Sequence, residues 1–395
     1  MIKLASPFNC TGCASCVNIC PKDAISMKED NEGFLFPEID SNICIQCRKC
    51  ELHCPILLED RPSMNYLEPT TFALWSKIDR TVSSSGGAFS AFARYCFQNN
   101  GIVYGVILDS NMNCRHMRID TIQDLPLLRG SKYIQSNIGY SFRECQKDLQ
   151  NGKLVLFTGT PCQIAGLQSF LGKQYDNLIT LDLVCHGVPS NKIFKSYINK
   201  LQRKYGEIKQ FSFRKLNGWG YAPSVELPKR KRKLLYGIDN LYMTAFDRSV
   251  LCRECCYECR YAKLPRVGDC TIADFWGIGK YGKKFAHSVS KGVSLVFVNN
   301  AKGANVLAHL TDISIERRSL NEALIENNNI IKSSVRPAHR NEIIAELLDP
   351  LVSLNDMDAR FRIINRSLKE RIKECTMKMH VYDFVKKIYN ILVRI

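Results

Sequence analysis

The sequence lacks any hydrophobic run long enough to cross a membrane. Its longest uninterrupted apolar segments are strand-sized, as in residues 102–108, whereas a transmembrane helix needs about 20 predominantly apolar residues. A signal-peptide pattern is also missing, because the apolar stretch before Cys10 is short and Lys3 interrupts it. We therefore expect a cytoplasmic protein with reduced thiols, since disulfides form mainly in oxidising compartments.

Patterns of nucleic-acid recognition are absent too, although the chain is basic. The formal net charge is +17, and the densest cationic run spans residues 229–233, directly after Pro228. Such a run is typical of a solvated hairpin tip, and no helix-turn-helix, zinc-finger or aromatic-interleaved pattern accompanies it. We expect no nucleic-acid partner, and the charge favours phosphorylated cofactors, an anionic surface or an acidic electron carrier instead.

Cysteine is abundant, with 19 residues, and eight of them form two copies of one ladder. Each copy reads Cys-x2-Cys-x2-Cys-x3-Cys-Pro, a pattern in which three thiolates bind one 4Fe–4S cluster and the fourth binds the cluster of the other repeat. A zinc site or a disulfide framework would show a different spacing. The ladders therefore predict two 4Fe–4S clusters, the first on Cys10, Cys13, Cys16 and Cys54, and the second on Cys44, Cys47, Cys50 and Cys20.

The pattern along the chain predicts three parts. Residues 1–62 read as an α+β ferredoxin-like domain, with a strand–turn–strand segment between the ladders. Residues 68–345 alternate between helical periodicity and apolar strands that end in small-residue turns, which indicates an α/β domain with a site at the strand C-termini. Residues 346–395 read as a basic, amphipathic helical tail.

The tail carries an apolar stripe at helical spacing and a net charge of +7 from Arg360 to the end. The stripe consists of Val381, Phe384, Val385, Ile388, Leu392 and Ile395. It favours a helix packed on its own domain or on a partner, or one that lies peripherally on the inner membrane surface.

A second cysteine set follows the ladders. Cys162 and Cys185 lie beside glycine turns, and four more cysteines cluster within eight residues, at Cys252, Cys255, Cys256 and Cys259. Thiolates from dispersed loops can hold a third 4Fe–4S cluster, but zinc is a rival, since Cys256 and Cys259 have knuckle spacing. The remaining cysteines are predicted to be core residues, namely Cys96, Cys114, Cys145, Cys270 and Cys375.

Five short phrases resemble the coenzyme F420 hydrogenase/dehydrogenase beta-subunit family, in its bacterial branch with an N-terminal ferredoxin, which is often linked to polysaccharide biosynthesis. The phrases occupy residues 84–87, 130–136, 159–163, 185–190 and 274–277. The resemblance implies a bound FAD, a third 4Fe–4S cluster in the catalytic domain and a hydride-carrying cofactor such as F420. It places that cluster on Cys162, Cys185, Cys256 and Cys259, while the choice between Cys255 and Cys256 stays open.

The resemblance also implies where FAD would bind. The implied residues are Ser84, Ser85, Gly86, Gly87, Gly130, Ser131, Lys132 and Tyr133. A Ser-Gly-Gly turn that opens a helix offers N–H donors and a positive dipole to a diphosphate, although such turns are also common as simple helix caps.

Three residues are candidates for catalysis. Lys132 can neutralise a phosphate or a reduced flavin, or be a solvated lysine; His186 can relay a proton or be structural. Asp274 can orient a ring nitrogen or cap a turn.

A flavin can accept a hydride and release single electrons, so it belongs between these two kinds of chemistry. We therefore predict an iron–sulfur flavoprotein oxidoreductase that works with a redox partner protein. The alternatives are an electron-transfer subunit without a substrate site, which serves a partner enzyme, and a structural cysteine-rich module that holds zinc.

Overall fold

A computed structural model describes residues 2–58, 65–214, 219–220 and 222–364. The first of these ranges contains helix α1 (Ser15–Ile19), strands β1 (Ile25–Glu29) and β2 (Leu35–Ile39), and helix α2 (Lys49–Leu52). β1 and β2 pair antiparallel, with Ile25 opposite Ile39. The strand–turn–strand segment predicted between the ladders is therefore present, and we call residues 2–58 the ferredoxin unit.

The remaining described elements are strands and helices, with short 3₁₀ turns between some of them. In chain order they are β3 (Thr70–Ser76), α3 (Ala88–Gln98), β4 (Ile102–Leu108), β5 (Cys114–Ile119), α4 (Leu125–Leu128), α5 (Ser141–Gln150), β6 (Val155–Gly159), α6 (Pro161–Leu171), β7 (Leu178–Leu183), α7 (Asn191–Tyr205), β8 (Gln210–Ser212), β9 (Ser224–Leu227), β10 (Lys231–Leu234), α8 (Leu241–Asp247), β11 (Cys270–Asp274), β12 (Ser294–Val298), α9 (Ala301–Ala308), β13 (Ile313–Arg318), α10 (Leu320–Glu326), α11 (Arg340–Leu348) and α12 (Leu354–Phe361).

Eight of these strands form one mixed sheet in the order β13-β3-β12-β11-β7-β6-β4-β5. The neighbours β4, β6, β7 and β11 run parallel, and the outer pairs are antiparallel. The mixed α/β class predicted for this part is confirmed. Because the parallel strands share one direction, their C-terminal ends meet at one edge of the sheet, where ligands bind in such folds.

Two helices that follow strands begin at that edge. α3 starts after Gly87, whose φ of 90° is accessible to glycine, and it buries Phe92 and Ala93 against the sheet. α6 starts at a capping box in which Thr160 and Gln163 satisfy each other's backbone donors, with Pro161 in the first position. Both helix N-termini therefore lie where the parallel strands end.

Two other sequence predictions concern the surface and the tail. The basic run at residues 229–233 begins at the exposed turn between the antiparallel strands β9 and β10, as the sequence predicts, and its last three residues continue into β10. The predicted boundary between residues 345 and 346 falls inside α11, whose residues Ile343, Ile344 and Leu347 are buried in a core shared with α7. The apolar stripe that begins at Val381 lies outside the described residues. Among the helices that the structure describes, none combines the length and apolar character needed to span a bilayer.

The ferredoxin unit packs directly on the α/β part. Ala14, Val17 and Ile25 belong to the same buried cluster as Phe142 of α5 and Leu167 of α6. α6 comes close to the first ladder at Gly166, where an added Cβ would lie 2.8 Å from the Cβ of Cys13. A helix can come this near only through a residue without a side chain, so Gly166 sets the distance between α6 and the first ladder.

Candidate functional site

The two cysteine ladders border two separate cavities. One, which we call the inner cavity, is lined by Cys10, Cys13, Cys16 and Cys54. The other, the outer cavity, is lined by Cys20, Cys44, Cys47 and Cys50. The structure thus brings together the two crossed sets that the ladder spacing assigns to two clusters, and each cavity offers the four thiols that a 4Fe–4S cluster requires. The assignment of these residues as ligands stays a prediction.

The two cavities differ in their exposure to solvent. Cys10 and Cys13 are buried, and burial raises the pKa of the Cys13 thiol to about 12. In the outer cavity Cys47 is exposed, and the neighbouring Ile45 is 56% exposed. A cluster in the inner cavity would be shielded from water, whereas one in the outer cavity would lie at the surface.

A third group of cysteines borders a cavity of about 260 Å³. Its thiols are Cys162, Cys185, Cys256 and Cys259, together with Cys255. Burial, and after it the neighbouring Cys185, raises the pKa of Cys162 well above its usual range. Within the described ranges, no three His, Cys, Asp or Glu side chains form a group that could hold a single metal ion.

The position of Cys252 differs from that of the third group. Cys252 is buried, and a Cβ at Gly187 would lie 2.4 Å from its sulfur, so this cysteine packs against a glycine turn. The cysteines predicted to be core residues are likewise buried where the structure describes them, at Cys96, Cys114, Cys145 and Cys270. Cys375 lies outside the described residues.

A larger cavity of about 390 Å³ lies at the C-terminal ends of the parallel strands. β4, β6, β7 and β11 contribute Val106, Thr158, Leu183 and Ile272 to its wall. The cavity also brings together Ser84, Ser85, Gly87, Gly130, Ser131, Lys132, Tyr133, His186 and Asp274. Every residue predicted for the flavin or for catalysis, except Gly86, therefore borders one space whose volume is typical of a small-molecule site.

The side chains of the serine–glycine turn hold loops together. The Ser84 hydroxyl accepts a hydrogen bond from the Ser131 backbone N–H (3.0 Å), which joins the two predicted flavin segments. The Ser85 hydroxyl donates to the Val293 carbonyl oxygen (3.1 Å). A Cβ at Gly86 would lie 2.3 Å from the Leu74 carbonyl oxygen, so Gly86 serves close packing against β3. What the turn presents to the cavity is mainly the start of α3.

The Lys132 ammonium group is bound to the end of α4. It donates to the carbonyl oxygens of Leu127, Leu128 and Arg129 at 3.4, 3.0 and 2.7 Å. Burial lowers the pKa of Lys132 to about 8. Its charge therefore stabilises a helix C-terminus, and a contact with phosphate stays a prediction that would require those bonds to change.

His186 and Asp274 are both held by neighbours. The two ring nitrogens of His186 lie 3.1 Å from Asn329 Oδ1 and 3.0 Å from the Ser249 hydroxyl, an arrangement that favours the structural alternative. Asp274 accepts hydrogen bonds from an Arg214 guanidinium nitrogen and from Trp219 Nε1, both at 2.7 Å. Asp274 thus anchors one wall of the cavity, on which Trp219 stacks against Trp276 with ring centroids 4.7 Å apart.

Sequence reasoning missed Arg129. This residue lines the large cavity beside the start of α3, and its Nε donates to the Ser90 hydroxyl (3.1 Å). It shares the buried carboxylate of Asp79 with Arg94, which does not line the cavity. The signal available in the sequence was a cation directly before the glycine of the 130–136 phrase.

Neighbouring cavities share parts of their walls. The large cavity and the third cysteine cavity share Cys162, Cys185 and Val188. The third cysteine cavity and the inner cavity share Thr11 and Ile56. Tyr261 also lines the third cysteine cavity, and burial raises the pKa of its hydroxyl. The candidate sites therefore follow one another from the sheet edge into the ferredoxin unit.

Two family models match separate parts of the chain. Residues 152–322 match the family described as the C terminus of the coenzyme F420 hydrogenase/dehydrogenase beta subunit, and residues 9–56 match the 4Fe–4S dicluster domain. A solved structure of the F420-reducing [NiFe] hydrogenase complex from Methanosarcina barkeri, derivatised with xenon, contains a chain 14% identical to this one. The match covers 73% of this chain and 95% of that chain, with a TM-score of 0.45. No curated protein matches the sequence.

Proposed function

We propose that this chain is an iron–sulfur flavoprotein oxidoreductase. Its residues 152–322 belong to the family of C-terminal regions of F420 hydrogenase/dehydrogenase beta subunits, and its residues 9–56 belong to the 4Fe–4S dicluster domains. It couples hydride transfer with a soluble hydride carrier to single-electron transfer with a partner protein. The observation that carries this proposal is that the large cavity shares wall residues with the third cysteine cavity, which in turn shares wall residues with the inner cavity.

The residues of the large cavity fit a flavin dinucleotide. When bound, a flavin would supply the exchange between a hydride and single electrons. The start of α3 and the Arg129 side chain provide N–H donors and positive charge for a diphosphate. Val106, Leu128 and Ile272 supply apolar surface for a ring system. These residues bind and orient the ligand, and the anchored wall at Asp274 limits its movement.

The third cysteine cavity fits a further 4Fe–4S cluster. Its four predicted ligands come from the start of α6, the turn after β7 and the segment before β11, so the fold brings together thiols that are distant in sequence. The N-terminus of α6 places its positive dipole end beside Cys162, which opposes the rise that burial causes in the pKa of this thiol.

The test begins with anaerobically purified full-length protein, in which flavin, iron and acid-labile sulfide are measured together. We expect about one flavin and about twelve irons per chain. The variant Arg129→Gln should retain less flavin, because it removes a cation from the cavity wall. Arg94→Gln is its matched control, since Arg94 pairs with the same Asp79 but lies outside the cavity.

The third cluster is tested by Cys259→Ser, which should lower the iron content by about four per chain. Cys255→Ser then decides between Cys255 and Cys256 as the ligand, since the iron content falls in this variant only if Cys255 is a ligand. Unchanged iron in Cys259→Ser would contradict the assignment, and bound zinc with little sulfide would support the structural module instead.

The reaction is tested by mixing the protein with reduced F420, and then with reduced nicotinamides, while the flavin absorption is followed. Bleaching with one donor, followed by reduction of an artificial acceptor, would support the oxidoreductase. Failure to bind FAD at high concentration would favour the alternative, an electron-transfer subunit that serves a partner enzyme. A role in polysaccharide biosynthesis would follow if the partner acts on lipid-linked sugars.

A further inference from the structure

The Arg253 side chain crosses from the α/β part into the ferredoxin unit. Its guanidinium group donates from Nε to the Cys10 carbonyl oxygen (2.8 Å) and from a terminal nitrogen to the Leu35 carbonyl oxygen (3.0 Å). The other terminal nitrogen donates to Gln135 Oε1 (3.2 Å). Arg253 is only 1% exposed. A permanent positive charge is therefore buried where the two parts of the protein meet.

Among the residues that the structure describes, no negatively charged side chain pairs with this buried cation. Its hydrogen-bond acceptors are neutral, and the aromatic ring of Phe36 lies 4.0 Å from the guanidinium carbon. Across the residues that the structure describes, no carboxylate lies within ion-pair distance of Arg253. Arg340 is equally buried at the same boundary, yet it pairs with the carboxylate of Glu32. An unpaired buried charge costs several kcal/mol, so a compensating anion is expected nearby.

The inner cavity is the place where that anion is expected. An oxidised 4Fe–4S cluster with its four thiolates carries a charge of about −2, and Cys10, a predicted ligand, is the residue whose carbonyl oxygen Arg253 binds. Gly12 makes room for the cation, because an added Cβ there would lie 2.9 Å from a guanidinium nitrogen.

We propose that Arg253 is the counter-ion of the cluster in the inner cavity and holds the reduction potential of that cluster up. Reduction adds one electron to the cluster and makes it more negative by one charge, so a fixed cation stabilises the reduced form more than the oxidised form. The inference deepens the iron–sulfur half of the proposed function. It does not depend on the flavin, so either can fail without the other.

The experiment is a redox titration of the full-length protein with dithionite as the electron donor, followed by electron paramagnetic resonance. Cys47→Ser changes a predicted ligand of the outer cavity only and identifies the outer cluster's signal. Cys259→Ser identifies the signal of the third group. In Arg253→Met we expect the midpoint potential of the inner cluster to fall while that of the outer cluster is unchanged. In Arg253→Lys, which keeps the charge, we expect a midpoint close to that of the original protein.

Gln135→Leu is the matched control, because it removes one neutral partner of the same guanidinium group and leaves the charge in place. The midpoint potential of the inner cluster should be unchanged in this variant. Equal shifts in Arg253→Met and Arg253→Lys, or no shift in either, would overturn the proposal. Loss of the inner cluster in Arg253→Met with retention in Arg253→Lys would support it, whereas loss in both would overturn it by showing that the guanidinium shape, and not its charge, is required.

Discussion

The two ladders use the same backbone and different side chains. Gly12 and Gln46 occupy matching positions between the first two cysteines of each ladder, with left-handed φ values of 65° and 54°. Ala14 and Arg48 match after the second cysteine, with φ values of 60° and 59°. In the first ladder both positions are small and face the α/β part, where Arg253 and α6 pack. In the second ladder both are large and exposed.

The difference teaches that the ladder and its surroundings carry separate information. The cysteine spacing determines which atoms can bind a cluster, and both ladders supply it equally. The residues between the cysteines determine whether a neighbouring domain can approach. A small residue permits docking, and a long polar one keeps the ladder in water. The inner and outer cavities are therefore chemically alike in donors but differ in dielectric surroundings, on which cluster potentials depend.

The largest expected effect comes from the ion pair that ties the inner side to the α/β part. Arg340→Met leaves the Glu32 carboxylate, which is 27% exposed, and the buried Cys252 carbonyl oxygen without this partner, and we expect a loss of about 3 kcal/mol in the free energy of unfolding. Denaturant unfolding under anaerobic conditions measures the loss. The matched change on the outer side is Arg48→Met, which removes an exposed contact with Glu51 and should leave stability unchanged. Equal losses in both variants would break the comparison.

Acid should lower the stability of the α/β part through His116. His116 is buried, with ring nitrogens bonded to the Thr158 carbonyl oxygen and the Ser136 hydroxyl, and burial lowers its pKa to about 4. Because the pKa of His116 is lower in the folded than in the unfolded chain, protonation favours unfolding. The contribution of neutral His116 to the free energy of unfolding is therefore complete above about pH 6.5 and is lost as the pH falls towards 4. The loss amounts to about 3 kcal/mol. His116→Gln should flatten this part of the stability–pH curve, and an unchanged curve would contradict the assignment.

A side chain at Gly166 should separate α6 from the first ladder. Gly166→Leu must displace Cys13 or the helix, since an added Cβ already lies within 2.8 Å of Cys13. Overpacking of this kind costs about 1–3 kcal/mol. Gln168→Leu, two residues further along the same helix and exposed, is the control. Thermal unfolding of both variants measures the cost, and the inner cluster's magnetic resonance signal should change only in Gly166→Leu.

The smallest effect concerns the order in which iron is lost. A chelator or brief exposure to air should remove the outer cluster first, because Cys47 is exposed and Cys10 and Cys13 are buried. About four irons per chain should leave in a fast phase, with the inner signal retained. Simultaneous loss of both signals would show that the difference in burial does not protect the inner cluster.

The sequence was most informative where chemistry depends on local spacing. The ladder spacing predicts the two cysteine sets that border the inner and outer cavities, and the alternation of helical periodicity with apolar strands predicts the α/β class of the second part. The five family-like phrases predict residues that meet at one cavity, because strand C-termini converge in this fold.

Long-range contacts were beyond the reach of the sequence. That Lys132 would bind the end of α4, and that Arg214 would hold Asp274, depends on packing between segments far apart in the chain. The cysteine-rich segment around Arg253 likewise gives no sign that the arginine side chain enters the ferredoxin unit. The contrast between Gly12 and Gln46 was a signal present in the sequence. The cysteine spacing is the same in both ladders, so it does not explain why the residues between the cysteines differ.

The missing side chain at Gly12 has a consequence for reading related sequences. A single Cβ at this position would occupy the space of the Arg253 guanidinium group. A chain with a large residue there could keep both ladders intact and still be unable to seat an arginine beside the first one. The second of the two residues between the first two cysteines can therefore distinguish ferredoxin units that dock in this orientation from those that are attached in another way.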